Sequence, residues 1–143
     1  MFKVIKKIKK QREIEKELYF LARKYRTELY ELSIKDHSWN LKYVPMELRT
    51  PELCELAVKK NGWALEFVPE RLKIDKLCES AVKSVGFSLK FVPEELRTKE
   101  LCEIALAQGY LADELLEAFV PEEFKEELAE KYDLYLEPKA KGR

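Results

Sequence analysis

The sequence predicts an all-α protein, a short α-solenoid of 24-residue helix-turn-helix repeats behind a long N-terminal capping helix. Three observations predict it. An aromatic residue recurs at a 24-residue interval, at Trp39, Trp63 and Phe87. Pro45, Pro69 and Pro93, and likewise Cys54, Cys78 and Cys102, keep the same interval. Apolar residues are spaced three and four apart, which is the period of a helix and not of a strand.

Residues 1–34 form the first element, a basic amphipathic helix. Ile14, Leu18, Leu21, Tyr25, Leu29 and Leu32 are spaced 4, 3, 4, 4 and 3 residues apart and make one apolar stripe. The stripe is expected to cover the open end of the first repeat. Residues 35–109 hold the three copies: WNLKYVPMELRTPELCELAVKKNG (39–62), WALEFVPERLKIDKLCESAVKSVG (63–86) and the shorter FSLKFVPEELRTKELCEIALAQG (87–109). The first two agree at 12 of 24 positions, too many for coincidence. Each copy reads as two short helices. The residue before proline avoids the helical region, so Val44, Val68 and Val92 end the first helix of each copy. Thr50 and Thr98 are placed to cap the second helix, and Pro51 fits its first position. In the middle copy Asp75 is expected to cap one residue later. Asp36 or Ser38 is the expected cap of the helix beginning near Trp39. Gly62, Gly86 and Gly109 are expected to end helices in the left-handed conformation. Helix pairs this short cannot bury an apolar face alone, so stacked neighbours must supply the missing partner. Residues 110–136 read as a divergent fourth copy serving as C-terminal cap, and residues 137–143 as a flexible tail.

The recurring W-A-L-x-F-V-P-E-x-L-x-T-x-x-L-C-x-x-A-V-x-x-x-G pattern resembles the DUF4116 family of short tandem helical repeats over roughly residues 37–109. Phe87 in place of Trp and Ile74 in place of the capping Thr depart from it. The resemblance implies a fold class and no biochemistry, so no functional residue is carried over from it.

The residues offer little chemistry. The cysteines sit on neighbouring helices, which pack 8–10 Å apart. That is too far for a shared zinc or a disulfide, so they are expected to be small buried hydrophobes. His37 is the sole histidine, and no activated nucleophile accompanies it. Trp39, Trp63, Phe87 and Tyr110 are expected to fill the space between copies. The alternative is a platform for single-stranded nucleic acid. Glu55, Glu79 and Glu103 form an acidic column and Arg49, Lys73 and Arg97 a basic one. The two are expected to pair with each other across copies, the alternative being a ridge facing a partner. No metal, cofactor or catalytic residue is predicted, and the chain reads as non-enzymatic.

The charge is uneven. Residues 1–27 carry ten Lys and Arg against three Glu, a net +7, which leaves −7 on residues 28–143 because the whole chain is neutral. Lys6, Lys7, Lys9, Lys10 and Arg12 are therefore candidates for binding an anion or nucleic acid, with residues 3–12 as the contact. The apolar runs are too short for a membrane span. Neither a secretory apolar run nor an even cysteine count is present, so a cytoplasmic setting is expected.

The expected function is an interaction module that binds a protein partner. Specificity must lie where copies differ: Lys42, Glu66 and Lys90, Met46 and its counterparts Glu70 and Glu94, Asn40/Ala64/Ser88, Leu56/Ser80/Ile104 and Lys60/Ser84/Gln108. Glu55, Glu79 and Glu103 join these as candidate partner contacts. The alternative is a nucleic-acid-associated protein, or an inhibitor of a nucleic-acid enzyme, using the basic helix.

Overall fold

A computed structural model describes residues 2–136, with side chains from residue 5 onward; the expected tail at 137–143 lies outside the described residues. Six α-helices are connected in part by short 3-10 turns, and no strand occurs among the described residues. The α-helices are α1 (Phe2–Asp36), α2 (Pro51–Lys60), α3 (Asp75–Ser84), α4 (Lys99–Leu106), α5 (Ala112–Phe119) and α6 (Glu122–Tyr132).

Each repeat contains one α-helix rather than two. Its first segment is a 3-10 helix of six residues, Ser38–Tyr43, Gly62–Phe67 and Gly86–Phe91 in turn. The Val-Pro pair explains this. With only six residues before a valine that must be extended, the segment closes on the tighter i to i+3 bonds. The N–H groups of Val44, Val68 and Val92 donate to the carbonyls of Leu41, Leu65 and Leu89 at 3.1, 3.2 and 3.1 Å. All three valines are extended, with ψ between 127° and 131°. A three-residue 3-10 turn after each proline then leads into α2, α3 or α4.

The threonine caps form as expected. Thr50 Oγ1 accepts from the Leu53 N–H and Thr98 Oγ1 from the Leu101 N–H. Asp75 does not cap. It occupies the first position of α3, and Ile74 stands at the cap with no side-chain hydrogen bond. Neither Asp36 nor Ser38 caps the next segment: Asp36 ends α1, and His37 holds the cap position without a side-chain bond.

Residues that recur in the repeats form the core. Leu41, Leu65, Leu89, Val44, Val68, Val92, Leu53, Leu77, Leu101, the three cysteines and Ala57, Ala81 and Ala105 are all buried. Helix α2 packs on α3, α3 on α4, and α4 on α5 and α6, while each six-residue segment lies against the α-helices beside it. In the terminal unit α5 replaces the 3-10 segment, and Val120-Pro121 closes it with Val120 buried like its counterparts.

Gly62 and Gly86 have a different role from the one expected. Of Gly62, Gly86 and Gly109, only Gly109 has a positive φ, at 72°. A Cβ on Gly62 would lie 2.2 Å from the Ala81 carbonyl oxygen, and one on Gly86 2.6 Å from that of Ala105. These glycines let the next helix approach; they do not reverse the chain.

The apolar stripe of α1 does not cover the first repeat. Helix α1 packs on α2 and on Ser38–Tyr43 through buried Ile34 and half-buried Tyr30. Residues two apart lie about 200° apart around a helix, so burying Ile34 turns Leu32 outward. Ile14, Leu18, Leu21, Tyr25, Leu29 and Leu32 are 41–65% exposed. Every side chain from residue 5 to residue 26 is exposed, so α1 projects from the body as an unsupported rod. No helix among the described residues is long and apolar enough to cross a membrane.

Candidate interaction surface

The repeat places one groove at each joint between successive units. The first has a volume of about 300 Å³ and is lined by Glu55, Lys59, Leu72, Ile74, Lys76 and Ser80 among others. The next, about 440 Å³, is lined by Asp75, Glu79, Leu96, Thr98, Glu100 and Ile104 among others. Glu55 and Glu79, Leu72 and Leu96, Ile74 and Thr98, Lys76 and Glu100, and Ser80 and Ile104 are repeat equivalents, 24 residues apart. The third groove, about 770 Å³, lies where the terminal unit joins, with Glu94, Glu95, Glu100, Glu123, Arg97 and Lys99 in its wall. The first two grooves thus share one set of wall positions with different chemistry. Glu55 is offset by two lysines in the first groove, whereas Asp75, Glu79, Glu95 and Glu100 line the second.

The candidate contacts from the sequence divide between different elements. Glu55 and Glu79 reach the grooves from α2 and α3. Lys42, Glu66, Lys90 and Met46 belong to the 3-10 turns. Lys42 lies over the Tyr43 ring at 4.7 Å. Lys90 is half-buried and lies over the rings of Trp63, Phe87 and Phe91 at 5.7, 5.6 and 4.8 Å. Met46 and Glu66 are exposed. The grooves also use Asp75, Glu95 and Glu100, which comparison of copies at single positions overlooked. The 24-residue register was the available signal, because it places Lys76 and Glu100 in matching walls.

The charge columns do not pair with each other. Glu55 pairs with Lys59 at 2.9 Å and Glu79 with Lys83 at 2.5 Å, each one turn along its own helix, and Glu103 meets Lys131 of α6 at 2.8 Å. Lys131 is held above its ordinary pKa first by its hydrogen bond to Glu103. The basic column instead binds main-chain carbonyls. Arg49 Nε donates to Val44 O at 2.8 Å and its Nη1 to Phe67 O at 2.6 Å; Arg97 repeats this with Val92 O at 2.9 Å and Phe119 O at 3.0 Å. A planar fork can bridge two units in this way. Lys73 cannot, and it bonds Glu70 at 2.7 Å.

Two of the variable sets are largely committed to contacts within the chain. Ala64 and Ser88 are fully or almost fully buried and cannot meet a partner. Lys60, Ser84 and Gln108 tie neighbouring units together. Lys60 donates to the Lys35 carbonyl at the end of α1. Ser84 Oγ and Gln108 Oε1 accept from the N–H of Gly62 and Gly86, at 3.2 and 2.6 Å.

The aromatic column is packed in the middle and open at its ends. Trp63 and Phe87 lie 5.6 Å apart, Phe87 and Tyr110 6.3 Å, and Trp39 meets Phe67 at 5.6 Å. Trp39 and Tyr110, which have a neighbouring copy on one side only, are exposed. The three cysteines are free and buried, and burial pushes each thiol up to about 11. His37 Nδ1 lies 2.8 Å from Asp36 in an exposed pair. Among the described residues no group of three or more His, Cys, Asp or Glu could hold a metal ion. Lys6, Lys7, Lys9, Lys10 and Arg12 are all exposed on α1.

The sequence model of the family described as Domain of unknown function (DUF4116) matches residues 28–73 and again residues 50–97. Residues 28–97 belong to the DUF4116 family. The second match begins 22 residues after the first, close to one repeat, so one DUF4116 match spans about two copies. No curated protein and no solved structure matches the chain.

Proposed function

We propose that this chain is a non-enzymatic α-solenoid interaction module that binds a protein partner along its inter-repeat grooves, α1 forming one end of the array. One observation carries the reading. The groove recurs in equivalent positions while the residues lining it change charge between copies. Fold residues that recur explain themselves by packing; wall residues that vary do not. Extended surfaces of stacked repeats suit a protein or peptide ligand. The acidic second groove favours a partner segment carrying Lys or Arg beside apolar side chains, since complementary potential sets register and speeds encounter. Three buried free thiols fit a reducing cytoplasm.

The test is affinity capture with the full chain and with a Glu79→Lys, Glu100→Lys variant, both exposed positions. A partner captured by the first and lost by the second supports the reading. Capture that ignores both substitutions refutes it.

The exposure of Lys6, Lys7, Lys9, Lys10 and Arg12 on a projecting helix favours a second reading, a nucleic-acid handle. It predicts affinity for DNA or RNA that falls steeply with salt and disappears when residues 1–12 are deleted. Binding that survives the deletion removes it.

A further inference from the structure

The stripe on α1 points away from the repeat body, and none of the described residues covers it. Six large apolar side chains on a helix edged with charge form a seam that needs a second helix. The charges beside the seam identify that helix. Lys10, Glu17, Lys24 and Glu31 are seven residues apart, so they follow one edge of the stripe with alternating sign. All four side chains are exposed or half-buried. Lys24 and Glu31 have only loose exposed partners, Glu28 at 3.9 Å and Lys35 at 4.0 Å.

We infer that α1 is a self-association element, pairing antiparallel with α1 of a second copy so that Leu18 of each faces Leu21 of the other. In that register Ile14 faces Tyr25, and the two-fold axis passes between the two leucine layers. An antiparallel pair brings like edges together. Glu17 then meets Lys24 of the second copy and Lys10 meets Glu31, each contact occurring twice by symmetry. Every charge on that edge finds its opposite.

The competing arrangements lack this match. An antiparallel register placing Tyr25 against Leu21 and Leu32 against Ile14 engages more of the stripe, but sets Lys24 against Lys24 and Glu17 against Glu31. A parallel pair brings each edge residue to the one five positions on. It joins Lys10 to Glu15, sets Glu31 against Asp36, and leaves Glu17 and Lys24 facing Ala22 and Leu29. Flanking charges of this kind select orientation and register in paired helices. The bodies do not obstruct the pairing, because α1 joins its own body through Ile34 and Tyr30, on the side away from the seam.

The test is the mass of the full chain by sedimentation equilibrium over a range of concentrations. The wild type should reach twice the 17.0 kDa of one chain. Glu17→Lys or Lys24→Glu alone creates two like-charge contacts and should weaken dimerisation about tenfold. The double variant Glu17→Lys, Lys24→Glu re-forms both contacts with signs exchanged and should recover the wild-type midpoint. These exposed positions lie outside the repeat core, so thermal unfolding of the body should not change. A chain that is monomeric throughout, or a dimer indifferent to the single reversals, overturns the inference. So does a double variant no better than the singles. So does a monomer that sediments with phosphatidylcholine–phosphatidylserine vesicles or shifts DNA more strongly as Glu17→Lys, because a membrane or a nucleic acid would then be the occupant.

Discussion

Replacing Gly62 by alanine tests how the repeats are joined. The added Cβ would lie 2.2 Å from the Ala81 carbonyl oxygen and 2.9 Å from Ser88 Oγ. An ordinary contact between such atoms is near 3.5 Å, so α3 must retreat by about 1 Å. Overfilling a packed site costs about 1–3 kcal/mol. The obstructing carbonyl also accepts from the Val85 N–H at 2.9 Å, and disturbing that bond adds about 1 kcal/mol. The reduced freedom of the unfolded chain returns about 0.5 kcal/mol. Gly62→Ala should therefore destabilise by about 3 kcal/mol. Gly86→Ala should cost less, because its nearest contact is 2.6 Å and the next is the flexible Gln108 side chain. Gly109→Ala meets open space, and its φ of 72° leaves only a backbone cost of about 1–2 kcal/mol. Urea unfolding followed by far-UV circular dichroism should rank the three in that order. Asparagine sharpens the test. It tolerates the left-handed region, so it should recover part of the loss at Gly109 and none at Gly62. If Gly62→Ala were as mild as Gly109→Ala, or Gly62→Asn milder than Gly62→Ala, the close-approach argument would be wrong.

Three further predictions concern the core and the caps. Ser88 Oγ is fully buried without a hydrogen-bond partner, and the equivalent position holds Ala64. Ser88→Ala should stabilise by about 1 kcal/mol in the same urea assay, and a loss of stability would mean the hydroxyl is satisfied. Ile74 occupies the cap position that Thr50 and Thr98 fill in the other copies, so Ile74→Thr should gain about 1 kcal/mol; no gain would show that α3 does not need the cap. Burial raises the thiols of Cys54, Cys78 and Cys102 from 9.0 to about 11, so folding favours their protonated form. Their contribution is whole below about pH 9 and is lost as pH rises towards about 11, so urea midpoints should fall across that window. Ellman's reagent should react with these thiols only as the chain unfolds, and fast reaction in the native state would contradict their burial.

The sequence revealed the repeat and its core because the same residues do the same packing in every copy. Leu53, Leu77 and Leu101 are buried where the register puts them. Three features escaped for distinct physical reasons. A six-residue segment before Val-Pro has no signal separating an α-helix from a 3-10 turn, since Leu65 and Val68 share a face in either. A glycine at a helix end reads as a left-handed stop, yet the atom that excludes a Cβ from Gly62 belongs to Ala81 of the following copy. The side of α1 that meets the body depends on Ile34, two residues beyond the stripe that dominates the pattern. The grooves were half legible: Glu55 and Glu79 stood out as a column, but their neighbours Asp75, Glu95 and Glu100 join them only through stacking.

Two separate uses of surface remain once the internal links are accounted for. Arg49 and Arg97 are spent on carbonyls, and Lys60, Ser84 and Gln108 on neighbouring helix ends. Among the exposed residues free of such work, one set lines the grooves and another edges the seam of α1, on different elements; Met46 and Glu66, on the 3-10 turns, belong to neither. If α1 pairs as inferred, two repeat bodies would stand at opposite ends of a shared rod. Its length would be roughly 45 Å, from about 30 overlapping residues at 1.5 Å each. A partner carrying two basic segments would then engage both bodies at once, and weak groove affinities would multiply through effective concentration. Disrupting the pairing with Glu17→Lys would therefore weaken capture of such a partner without altering either groove, whereas a partner with one segment would be captured equally by monomer and dimer.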